Sequence, residues 1–105
     1  MIKKSTMQDI NVSELRERLE KGEDLVVIDV REPWEYEEFN INAKLIPLGN
    51  LQGAIDDLDD LRETEIVVHC KSGARSAAAK DFMTKQGFAK VRNLEGGMMA
   101  WMASM

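Results

Sequence analysis

Three short aliphatic, β-branched runs constrain this chain more than any other feature: "LVVIDV" (25–30), "EIVVHC" (65–70) and "AKVRNL" (89–94). The first two are continuous apolar runs of the kind that marks strands covered on both faces, and the third, whose apolar residues are interrupted by Lys90, Arg92 and Asn93, reads as a further strand. Segments of helical character separate them. Strands that alternate with helices form a parallel sheet with helices packed on each side, so the expected class is α/β.

The helical segments carry their own punctuation. "NVSELRERLEKGED" places Leu15 and Leu19 on one stripe, with Ser13 expected as N-cap and Gly22 as the stop. Glu14 with Arg18, and Glu17 with Lys21, have the spacing of exposed ion pairs. Pro33 suits a first helical position, followed by Glu35, Glu37 and Glu38 in the opening turns. "LIPLGNL" bends at Pro47 and Gly49, after which Leu51, Ile55 and Leu58 recur at helical spacing. "RSAAAKDFMTKQGF" is expected to run as a helix to Gly87, with Phe88 making the contact that accompanies a glycine stop, and its alanines packing closely on the sheet. After Gly96 and Gly97 a last helix presents Met98, Trp101, Met102 and Met105 on one face, read as core.

The chain has 105 residues, room for one core, with residues 1–7 expected as a loose lead-in and 8–105 as the domain. The start, "MIKKSTMQDI", lacks the apolar region of a signal peptide, and no apolar stretch approaches a membrane span. A net charge of −5 argues against a nucleic-acid partner. A single cysteine excludes an internal disulfide, and with a single histidine it excludes multi-Cys and His-rich metal sites, so no cofactor or metal is expected. A reducing, cytoplasmic compartment fits such a chain.

That one cysteine, Cys70, ends the second strand and is followed by Lys71, Ser72, Gly73, Ala74, Arg75 and Ser76. Sites in open parallel sheets gather at the carboxyl ends of strands. A tight loop leading into a helix there converges backbone N–H groups on an anion, and the helix dipole adds to the effect. Gly73 permits a positive φ, and no acid interrupts residues 69–80. These surroundings lower a thiol pKa. His69 is adjacent in sequence, but neighbouring strand residues point to opposite faces, so it is read as structural.

"DVREPWEYE", "NINAKLIPL", "CKSGARS" and "VRNLEGGMMAW" together resemble the rhodanese family of sulfurtransferases, in order and separation, over nearly the whole chain. The resemblance implies a three-layer fold with about five strands, mostly parallel. It also implies a Cys70 persulfide that takes sulfur from a donor such as thiosulfate and passes it to cyanide, a thiol or a protein. Lys71 and Arg75 would orient the donor, and Asp29 and Arg31 would support the site as an ion pair. Many members have "GHIxGA" where this chain has "FNINAK", so the resemblance does not set the conformation of residues 40–44.

Two other readings are open. A persulfide carrier would serve a dedicated protein partner. A cysteine-dependent phosphatase would use a similar loop, but with five residues between Cys and Arg, where this chain has the four from Lys71 to Ala74.

Overall fold

The computed structural model describes residues 7–105, so the lead-in expected over 1–7 lies almost wholly outside the described residues. Four parallel strands form the sheet: β1 (Val26–Asp29), β2 (Lys44–Leu45), β3 (Ile66–His69) and β4 (Val91–Asn93), in the order β2-β1-β3-β4. About five strands were expected. The position beyond β4 holds a single parallel bridge between Ile10 and Leu94, too short to count as a strand. The two-residue β2 has no counterpart in the hydrophobic pattern, because Pro47 follows it closely and it offers no aliphatic run.

Helices cover both faces. Ile28, Ile66, Val68 and Cys70 face one layer together with Leu51, Leu58, Met83 and Phe88. Val27 and Val67 face the other with Ile10, Leu15 and Leu94. The first layer contains α3 (Leu51–Ala54), which tightens into a 3₁₀ turn over Ile55–Leu61, and α4 (Ala74–Lys85); the second contains α1 (Val12–Glu20) and α5 (Gly97–Ala103). The period-2 alternation along β3 therefore puts Cys70 and His69 on opposite faces, as strand geometry requires.

One helix boundary differs from the sequence reading and another matches it. Asn11, and not Ser13, caps α1: its Oδ1 accepts the Glu14 N–H at 2.8 Å, because Val12 is already helical and buried. At the end of α4, Gly87 adopts φ 97°. Its N–H and that of Phe88 donate to the Thr84 and Met83 carbonyls, a Schellman stop. Phe88 is fully buried beside Met83, and burial of a ring that size contributes about 3 kcal/mol.

Two packing expectations are corrected. Of the alanines in α4 only Ala79 is buried, since Ala77 and Ala78 fall on its solvent side. Of the last methionines only Met98 reaches the core; Met102 is 51% and Met105 76% exposed. The reason is the short helix. Trp101 turns toward α1, where the Arg16 guanidinium lies 4.2 Å from its ring centroid, and Met105 lies past the helix end.

Candidate active site

The carboxyl ends of β1, β3 and β4 converge on the segment that joins β3 to α4. Cys70 leaves β3 buried among aliphatic side chains, and the chain then doubles back into α4 through Gly73 at φ 111°. That turn aims donors at the sulfur. The Gly73 N–H lies 3.1 Å from Cys70 Sγ, the Ser76 N–H 3.3 Å, and the Ser76 hydroxyl 3.3 Å. Burial acts to push the Cys70 thiol up, but hydrogen bonds from the Ser76 hydroxyl and from the backbone of Ser76, Gly73 and Ser72 outweigh it. The pKa falls below its ordinary value, because these donors favour the thiolate over the thiol more than water does.

The base of the loop is pinned from below. The N–H groups of Met98 and Met99, in the first turn of α5, donate to the Cys70 and Lys71 carbonyls at 2.8 and 2.9 Å. This approach needs Gly97: a Cβ there would stand 2.5 Å from the Cys70 carbonyl oxygen, and its φ is +57°. The "EGG" of the sequence is thus a close backbone contact with the cysteine loop as well as a turn.

Asp29 and Arg31, at the end of β1, form a buried pair. The Arg31 Nε and Nη2 reach the Asp29 carboxylate at 3.0 and 2.8 Å, and Nη2 also donates to the Phe39 carbonyl at 2.7 Å. His69 lies on this side too, its Nε2 3.6 Å from Asp29 Oδ2. Burial keeps its pKa below the usual value despite that carboxylate, so the ring is neutral at pH 7.

Residues 40–44 have a defined shape without the histidine that many similar sequences carry. Asn42 takes the left-handed conformation at φ 63°. Asn40 Oδ1 accepts its N–H at 2.9 Å, and the Tyr36 hydroxyl donates to the Ala43 carbonyl at 2.7 Å.

Arg75 is engaged by a residue that sequence reasoning passed over. Its Nη1 and Nη2 donate to Glu35 Oε1 and Oε2 at 2.7 and 2.9 Å. Glu35, in the first turn of α2 (Pro33–Glu38), is buried, and the Arg75 hydrogen bond holds its carboxyl down to about 2. A second omission is Asn93 at the end of β4. Its Oδ1 accepts from the Ser76 hydroxyl at 2.6 Å, and its Nδ2 donates to the Gly73 carbonyl at 3.2 Å. Lys71 and Ser72 are exposed, and the Lys71 ammonium has no ion-pair or hydrogen-bond partner among the described residues.

A cavity of about 270 Å³ adjoins the loop through Lys71, with Glu35 on its wall and Trp34, Phe39, Met98 and Met102 supplying apolar surface. No group of His, Cys, Asp and Glu suited to a metal occurs among the described residues, and no helix there is long and apolar enough to cross a membrane.

Comparisons with known proteins agree with this fold. The chain is 40% identical over 96 residues to YtwF of Bacillus subtilis, covering 90% of each chain. It is 31% identical to a sulfurtransferase of Allochromatium vinosum, covering 90% of this chain and 88% of that one. The crystal structure of a rhodanese-related protein from Thermoplasma volcanium superposes with a TM-score of 0.79 at 31% identity, covering 93% of both chains. The family model of the rhodanese-like domain matches residues 11–104, and the chain belongs to that family.

Proposed function

We propose that the protein is a sulfurtransferase that carries sulfane sulfur on Cys70. The observation that carries this reading is the convergence of the Gly73 and Ser76 N–H groups and the Ser76 hydroxyl on one sulfur. A thiolate so held attacks the outer sulfur of a donor such as thiosulfate. The new S–S bond forms as the donor's S–S bond breaks, and sulfite leaves with the electron pair. The product, a Cys70 persulfide anion, keeps the negative charge beside the same donors, so the cradle suits both states of the cycle. An acceptor thiolate or cyanide then takes the terminal sulfur and returns the Cys70 thiolate. Dividing the transfer in two replaces one difficult step with two easier ones. Lys71 at the mouth would draw in the anionic donor, Arg75 would shape the loop through its pair with Glu35, and the Asp29–Arg31 pair would brace the neighbouring turn. A reducing, cytoplasmic compartment would keep the thiol available.

A second reading, a persulfide carrier for a dedicated protein, is favoured by one feature. Trp34, Met99 and Met102 are more than half exposed beside the loop, where a small inorganic acceptor gains nothing from apolar surface. Intact-mass measurement after incubation with thiosulfate tests the main reading. The expected result is a gain of one sulfur atom, lost on addition of cyanide and absent in Cys70→Ser. Phosphomonoester hydrolysis that depends on Cys70, with no sulfur uptake, would overturn it. Slow turnover with cyanide from a stable persulfide would favour the carrier.

A further inference from the structure

Arg75 is the only arginine in the cysteine loop, yet its charge is already matched. Both of its terminal nitrogens bond to Glu35, a residue 40 positions away, in a two-pronged pair at 2.7 and 2.9 Å. The carboxylate is itself fixed. Glu35 Oε1 accepts the Glu32 N–H at 3.0 Å, which closes the first turn of α2, and the Glu35 side chain is only 9% exposed. The donors that reach Cys70 Sγ are, by contrast, all uncharged. Arg31, the arginine on the cavity wall, is bound by Asp29. Among the described residues Lys71 is left as the unpaired cation on that wall.

We propose that Glu35 is a positioning residue that sets the charge of the sulfur site: it fixes the Arg75 guanidinium and cancels its charge, so neutral donors hold the Cys70 sulfur and Lys71 is the cation that meets an anionic substrate. This rests on the reading of Cys70 as the nucleophile. The site then admits charged and uncharged sulfur compounds more evenly than a bare arginine would allow. The Cys70 thiolate adds to the field on Arg75, so the two groups are electrostatically coupled and a change in the pair is felt at the sulfur.

Cys70 is the only cysteine, so alkylation reads the potential there whether or not sulfur is transferred. The thiolate displaces iodide from neutral iodoacetamide and from anionic iodoacetate alike, so the ratio of the two rates isolates local charge. Glu35→Gln keeps the side-chain size and an acceptor for the Glu32 N–H. At low ionic strength it should raise the iodoacetate-to-iodoacetamide ratio, by up to the roughly fivefold that a unit charge in near contact gives in water. The gain should shrink in about 0.5 M salt, as screening requires. Arg75→Gln should lower the ratio by a similar factor, and the double variant should return to within about twofold of the unaltered protein. Single variants that both leave the ratio unchanged, or shift it in the same direction, would show a purely structural pair and overturn the proposal. If Glu35→Gln does not fold, the Arg75→Gln arm decides, and an unchanged ratio there overturns it. Failure of the Cys70 reading is visible separately, as no sulfur gain by the unaltered protein with thiosulfate.

Discussion

The Ser76 hydroxyl lies 2.6 Å from Asn93 Oδ1, 3.2 Å from the Gly73 carbonyl oxygen and 3.3 Å from Cys70 Sγ, so one proton faces three acceptors. The amide has the shorter bond and competes with the sulfur for that proton, whereas the backbone N–H groups of Gly73 and Ser76 face the sulfur whichever way the hydroxyl turns. Asn93 is therefore a regulator of how much of the Ser76 proton the sulfur receives.

Asn93→Ala should free the Ser76 hydroxyl for the sulfur and leave the Gly73 carbonyl without its amide donor. The alkylation pH profile of Cys70 should shift to lower pH, while stability falls by about 1–2 kcal/mol in urea unfolding. A profile and midpoint identical to those of the unaltered protein would contradict this account.

The Cys70 thiol should titrate below the free-thiol value of about 8.5. Ser76→Ala should raise the midpoint only in part, because the backbone donors remain. A midpoint at or above the free-thiol value in the unaltered protein would remove the cradle argument.

Gly97→Ala should damage the site from beneath. The added methyl would stand 2.5 Å from the Cys70 carbonyl oxygen and 2.7 Å from that of Lys71, both backbone atoms that cannot swing away. The strained positive φ alone costs about 1–2 kcal/mol, and the clash adds to it. Urea unfolding should show a loss of at least that size, together with slower sulfur loading; an unchanged midpoint would mean that α5 moves freely.

Acid should weaken the fold through Glu35 and Glu65. Both carboxyls are held down to about 2, Glu35 by its hydrogen bond to Arg75 and Glu65 chiefly by its bond to Arg18. Between about pH 4.5 and pH 2 the unfolded chain takes up protons that these groups refuse when folded. Their stabilisation is thus fully present above about pH 4.5 and is lost as the pH falls through 2. Urea midpoints measured from about pH 5 down to pH 3 should fall less steeply in Glu65→Gln, and parallel slopes would argue against the assignment.

What the sequence disclosed was local. Cys70, Gly73 and the start of α4 are contiguous, and Gly87 with Phe88 spells out a helix stop within two residues. What it hid was distant or ambiguous. A glutamate in the first turn of a helix reads as a solvated partner of the helix dipole, so nothing marked Glu35 as the residue that grips Arg75. Asn93 sits in a strand of ordinary pattern, and only the β3–β4 register brings its amide to Gly73 and Ser76. Ser13 and Asn11 are both good caps, and the burial of Val12 decided between them. Met102 shared a helical face with Met98, but α5 is too short to bury both.

The pinning of the Cys70 and Lys71 carbonyls by α5 bears on when the cysteine becomes reactive. The loop draws on Asn93, on α2 and on α5, all distant from Cys70 in sequence. A nascent or unfolded polypeptide lacks these distant contacts, and its thiol is an ordinary one that ionises little at neutral pH. The lowered pKa of Cys70 is therefore a product of completed folding.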